Sequence, residues 1–123
     1  MARFSLSTGT TTIGEKGIGG TMPNGEDRVA SIIFQIWDTA GGFSAIPKIR
    51  MQGAGQTGQD MHYYNLLDGS EVNGGSAITG AGLFGVFAPE CDVQLVVSAG
   101  TATCEARRVI GSVAYYHSQG GGN

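Results

Sequence analysis

Four short segments, in order along the chain, carry the residue types of a phosphate-handling site. Gly14 to Thr21 reads GEKGIGGT, which fits the phosphate-cradling pattern G-x-x-x-x-G-K-[ST] at all but one place. Trp37-Asp38-Thr39-Ala40-Gly41 follows an apolar run, as the second phosphate-sensing loop of a nucleotide switch does. Asn65-Leu66-Leu67-Asp68 has the outline of a base-reading N-K-x-D without its Lys, and Ser76-Ala77 stands where a last base-contacting motif would follow.

Three physical objections remove the nucleotide switch. Gly20 holds the place of the lysine whose ammonium is needed at the β- and γ-phosphates. A phosphate loop works because its backbone N–H groups lead into a helix N-terminus, whereas Met22-Pro23-Asn24-Gly25 breaks such a helix within its first turn. Only 26 residues separate Asp38 from Asn65, and a single crossover connection takes about a dozen or more.

The remaining reactive side chains give weaker patterns. Asp38, Asp60, Asp68, Glu71, Glu90 and Asp92 all stand beside expected turns. Gathered in space, such carboxylates hold Ca²⁺ or act as the acid–base pair of glycoside hydrolysis. No dense D-x-D-x-D-G run is present, and Asp and Asn are also turn formers that keep loops hydrated. His62 and His117 have no G-x-S-x-G or comparable nucleophile motif beside them. The reading is therefore of a protein that is not an enzyme, with no metal and no cofactor. Trp37, Phe43, Tyr63, Tyr64, Tyr115 and Tyr116 leave two readings open: a sugar-stacking platform, or the filling of a core or a protein interface.

Composition says which elements must position these residues. The chain has 123 residues, enough for one domain with a core. Its 22 glycines argue against long helices, since each interior Gly costs about 1 kcal/mol relative to Ala. Short apolar runs rich in β-branched and aromatic residues, bounded by Gly, Asn, Asp or Ser, point to short strands and many turns. The expected fold is all-β: a single-domain antiparallel β-sandwich, jelly-roll or Ig-like, of about seven to eight strands. The period-two pattern predicts strands over 29–37, 46–52, 61–67, 77–79, 83–88, 91–98 and 101–110, with a short extension at 113–116. In the first, Ile32, Phe34 and Ile36 share one face and Ser31, Ile33, Gln35 and Trp37 the other. Residues 38–45 and 53–60 are expected as loops, residues 1–28 as an edge strand or arm, and 117–123 as a flexible tail. The sandwich would then occupy 29–116.

The last two strands suggest a hairpin about Ala99-Gly100, which sets Val97, Leu95 and Val93 against Ala102, Cys104 and Ala106, and Asp92 against Arg107. In that register Cys91 and Cys104 are on the order of 13 Å apart along the strand, too far for a disulfide. Both cysteines are expected to be free and buried.

Charge narrows the partners. The net charge is −3 and Arg107-Arg108 is the only adjacent basic pair, so nucleic-acid binding through a basic face is not expected. MARFSLSTGTTTIGEKG has no apolar core of signal-peptide length, and no apolar run approaches a membrane span. Folding in a cytoplasm, with no membrane contact, is the expectation.

The run SAITGAGLFGVFAPECDVQLVVSAGTATCEARRVI, Ser76 to Ile110, resembles the C-terminal half of small β-sandwich structural proteins of tailed phages. Gly82-Leu83-Phe84-Gly85-Val86 and Ser98-Ala99-Gly100-Thr101-Ala102-Thr103 carry the likeness, which extends in outline over residues 29–110. The resemblance implies a virion protein assembled in the host cytoplasm, with the major capsid protein or other virion proteins as partners. A capsid decoration protein that stabilises the assembled head shell is the first expectation, and a carbohydrate- or receptor-binding module of the tail is the alternative. A closed homo-oligomer, with a trimer favoured, would hide the sandwich edges. Phe4, Leu6, Trp37 and Phe43 form the candidate interaction surface.

Overall fold

The computed structural model describes residues 2–14, 30–51, 58–87 and 91–110. Two long strands dominate it. β3 (Ala30–Met51) and β8 (Cys91–Ile110) run antiparallel beside each other over their whole length, from Ala30 opposite Ile110 to Met51 opposite Cys91. A straight strand of 22 residues would reach roughly 70 Å at the usual rise per residue, whereas a compact chain of this size has a radius of gyration near 14 Å, to order of magnitude. The ladder must bend, and the bend falls where the residues permit it. Asp38, Gly41 and Gly42 in β3 have φ of 54°, 69° and 71°, and Gly100 in β8 has 76°. Between Trp37 and Ala45 the register shifts three times, which absorbs the extra residues as bulges.

These bulges also reset the side-chain phase. Ile32, Phe34 and Ile36 are buried before the bend in β3, and Phe43, Ala45 and Pro47 after it. In β8 the buried set passes from Val93, Leu95 and Val97 to Ala102, Cys104 and Ala106. Buried positions change between even and odd numbers in both strands. Without that change, one half of each strand would present its polar set to the core.

The short strands fill the flanks. β1 (Ala2–Leu6) and β2 (Gly9–Gly14) share one side of β8, with Phe4 opposite Cys104 and Thr11 opposite Leu95. On the other side of β3 lie β7 (Gly82–Phe87) against its first half and β4 (Gln59–Asp60) against its second. β5 (Tyr63–Asn65) pairs with β7, and β6 (Ser70–Val72) with β5. All eight strands form one antiparallel sheet with no helix among the described residues, consistent with a single-domain β-sandwich.

One apolar cluster draws on both halves of the long ladder, and includes Leu6, Ile13, Phe34, Phe43, Tyr63, Ile78 and Leu95. Phe84 is its aromatic hub, with ring centroids 5.6 Å from Phe34 and 6.0 Å from Tyr63. The Tyr63 hydroxyl donates to the Ser76 carbonyl at 2.8 Å, which satisfies the polar end of a buried ring. Burial raises the pKa of that phenol.

A fully buried proline, Pro47, lies inside β3, a position that usually forbids it. Ala45 exchanges two hydrogen bonds with Ile78, on the side of β3 away from β8. Alternate residues point their N–H groups the same way, so Pro47 aims its missing donor at that side. β4 begins only at the pair Lys48–Asp60. Pro47 thus lies in the gap between the Ile78 bridge and β4.

The sequence expectations need correction along the chain: Gln59–Asp60, expected in a loop, form β4, and of the expected strand 77–79 only Ile78 makes a bridge. Residues 98–101 do not turn a hairpin, because β8 continues through them and pairs with β3. Asp92 therefore faces Arg50, not Arg107, and Leu95 faces Pro47, not Cys104. Residues 38–45 are a bent part of β3, not a loop. The aromatic strand shortens to Tyr63–Asn65, because the Asn65 and Asp68 side chains accept from the Leu67 and Ser70 N–H groups and fold the next residues into a turn. Residues 2–14 belong to the sheet as edge strands. The rest of the expected arm (15–28), the extension at 113–116 and the tail at 117–123 lie outside the described residues.

The bend can be tested at two glycines. A Cβ on Gly100 would lie 2.4 Å from the carbonyl oxygen of Ala40, which pairs with Thr101, and 2.6 Å from backbone atoms of Phe43, whose side chain is buried in the core. Gly100→Ala is expected to cost about 3 kcal/mol or more in denaturant unfolding. Gly42→Ala meets no atom within 4 Å and should cost only the left-handed backbone penalty, about 1 kcal/mol. Equal losses at the two sites would refute this account of the corner.

Candidate binding face

The side of the sheet opposite the core, over β1, β8, β3 and β7, gathers the polar and aromatic groups with the most suggestive geometry. The registers align Arg3, Glu105, Gln35 and Leu83 in one row across four strands. Trp37 stands two residues along from Gln35 and opposite Thr103. The Arg3 guanidinium donates to Glu105 Oε1 from two nitrogens, at 3.1 and 3.3 Å, and lies over the Trp37 ring at 5.4 Å from its centroid. Arg3 is largely exposed, so its ion pair adds little stability, while its stacking fixes the indole. Two hollows adjoin here. One, of about 270 Å³, is bordered by Ile33, Gln35, Leu83, Glu105 and Arg107. The other, of about 340 Å³, runs past Trp37 between Leu67 and Gly82 and shares Gln35 and Leu83 with the first.

A second polar group lies beyond the bend. Lys48 Nζ is 2.6 Å from Asp60 Oδ1, and Arg50 Nε is 3.3 Å from Asp92 Oδ2. Asp92 is only 4% exposed, and its Oδ1 has no hydrogen-bond partner among the described residues. A carboxylate so buried depends on its guanidinium, and removing the partner strands the charge.

The structure divides the expected interaction surface. Leu6 and Phe43 are 2% and 3% exposed and belong to the core. Both are inward because of the bulges and register that set their phase, so the surface assignment is corrected for these two. Phe4 is partly buried and packs against the same core. Trp37 alone of the four borders an open hollow. Sequence alternation does put Gln35 and Trp37 on one face, but Arg3 and Glu105 join them only through strand pairing across some hundred residues, which no local pattern reveals.

The other candidates have local partners. Asp68 accepts from the Ser70 hydroxyl and N–H, and these bonds lower its pKa. Glu71 lies 3.1 Å from His62 Nδ1 and accepts from the Tyr64 hydroxyl at 3.3 Å. Among the described residues no group of three or more His, Cys, Asp and Glu could hold a metal ion. The P-loop-like letters after Gly14, Glu90 and His117 lie outside the described residues. Asp38-Thr39-Ala40-Gly41 forms the corner of β3, and no helix N-terminus follows it. Both cysteines are free. Cys104 is buried, and Cys91, only partly buried, sits opposite Met51 at the far end of the ladder.

No protein-family model, curated protein or solved structure matches the chain.

Two measurements test the polar and thiol groups. Arg50→Met should lower unfolding stability by about 3 kcal/mol, because it strands Asp92, and adding Asp92→Asn should recover part of that loss. An unchanged stability in Arg50→Met would show that the pair is immaterial. Burial, and secondarily Glu105, pushes the Cys104 thiol up to about 12 from an ordinary value of 9.0. The unfolded thiol ionises first as pH rises, so the stabilising contribution is complete below pH 9 and is lost as pH approaches 12. Denaturant midpoints between these values should therefore fall more steeply for the native chain than for Cys104→Ala. A thiol reagent should leave Cys104 unmodified until the chain unfolds.

Proposed function

We propose that this chain is a non-catalytic structural module of a tailed-phage particle, a decoration protein that binds the assembled head shell. The observation that carries the reading is the state of the sheet edges. Among the described residues no strand pairs with the outer edges of β1, β2 and β6. Open edges are templates for strand addition and invite either a neighbouring copy or a partner protein. Exposed Met51 and Phe87 add apolar surface suited to such contact. The resemblance of residues 76–110 to phage structural β-sandwiches supplies the particle, with the major capsid protein as the first partner.

In this role the protein acts by mass action. A module that binds the assembled shell and not its dissociated subunits adds its binding free energy to the shell. Self-association into a closed ring, with three copies favoured, covers the β1 edge and presents a multivalent face to the capsid.

Light scattering on the eluting protein should give the mass of a closed homo-oligomer. Head shells of the encoding virus should melt at a higher temperature with the protein than without it. A strictly monomeric protein that leaves shell melting unchanged would sink the proposal.

A further inference from the structure

We infer that the continuous groove formed by the two hollows on the outer face binds a short neutral oligosaccharide, with Trp37 as the stacking platform and Gln35 as the central hydrogen-bonding group. This goes beyond the assembly role, which uses the sheet edges and not this face.

The groove follows β3 from Trp37 to Ile33, four residues and so roughly 13 Å. Its wall past Trp37 is bordered by Ala81, whose side chain is a single methyl, while Gly82 faces inward, where a Cβ would meet the Phe84 ring. Its floor belongs to strands whose backbones are already paired on both sides: β8 between β1 and β3, β3 between β8 and β7, and β7 between β3 and β5. Even the Leu83 carbonyl accepts from the Leu66 N–H at 2.9 Å. A peptide laid over Ile33–Ile36 would find the main-chain groups of β3 already paired on both sides, against strand addition there. Along that stretch the occupant is recognised by side chains.

Those side chains fit vicinal hydroxyls. The Gln35 carboxamide is exposed and makes no hydrogen bond among the described residues, so it offers donors and acceptors together. Glu105 receives both Arg3 bonds on Oε1, and its Oε2 makes none among the described residues. An alcohol O–H both donates and accepts, which matches a neutral amide beside a carboxylate oxygen. Arg3 and Glu105 offset each other within the groove, and Arg107 at its border has an interaction of its own, so a strongly ionic ligand would compete with existing partners. The indole supplies a planar apolar surface for the C–H face of a pyranose ring, and Leu83 and Leu67 add apolar lining beside the polar groups.

Trp37 is the only tryptophan in the chain, so its fluorescence reports on this groove alone. The folded protein is titrated with a panel of purified neutral oligosaccharides built on glucose, mannose, galactose and N-acetylglucosamine. At least one should shift or quench the emission saturably, with calorimetry confirming the affinity. Gln35→Ala, at an exposed position, should weaken that affinity by about tenfold. Trp37→Ala, followed by calorimetry, should weaken it further, while the distant Met51→Ala leaves it unchanged. Circular dichroism melting checks that each variant folds. Absence of a saturable change across the panel, binding that survives both Gln35→Ala and Trp37→Ala, or a peptide that competes for Gln35 and Trp37 would overturn the inference. Because the titration uses isolated protein without capsids, either result leaves the assembly proposal standing or falling on its own test.

Discussion

Everything in this fold depends on one constraint: β3 and β8 are too long to lie straight in a small protein, yet remain paired from end to end. Bending such a ladder costs backbone strain and threatens the alternation that keeps one face apolar. The chain meets both problems in the same few residues. Left-handed glycines at 41, 42 and 100 turn the backbone, and the bulged register between Trp37 and Ala45 moves the buried phase from even to odd positions. Phe43, the first buried side chain after the turn, anchors the corner to the core.

That corner also places the binding face. Trp37 stands at the last regular pair before the register shifts. Being at that boundary, it remains in line with Gln35 and Ile33 while its far side opens toward Ala81. Arg3 then reaches it from β1, two strands away, through a register that Glu105 shares. The core and the groove are thus the two faces of the same strands, and the phase that buries Phe34 and Ile36 exposes Gln35.

Much of this was legible from residue order, for physical reasons that are clear in hindsight. Alternation is a local property, so the inward set 32–36 and, on each side of the bend, 93–97 and 102–106 follow from spacing, although Ser31 on the opposite face is also buried. Pairing is not local. Ser98-Ala99-Gly100-Thr101 has the composition of a hairpin turn, and a turn and a bulged bend need the same left-handed glycine. The letters therefore could not say whether 91–98 folds back on 101–110 or both continue against another strand. The same limit hid Arg3 from Trp37 and Arg50 from Asp92, since each pair is joined by a ladder between distant segments. Leu6 and Phe43 looked available for contact only because their neighbours in space were unknown.

The position of β8 in the chain bears on how the protein comes to be made. It is the last of the described strands along the chain, and β1, β2 and β3 all pair with it. Until β8 emerges from the ribosome, β1 and β2 have no strand partner and the β8-facing edge of β3 stays uncovered. Folding that waits on contacts so distant in sequence is slow and exposes adhesive intermediates. Nascent chains on one message would therefore be prone to meet one another before they are complete, and truncation before Cys91 would leave a fragment without the strand that organises it.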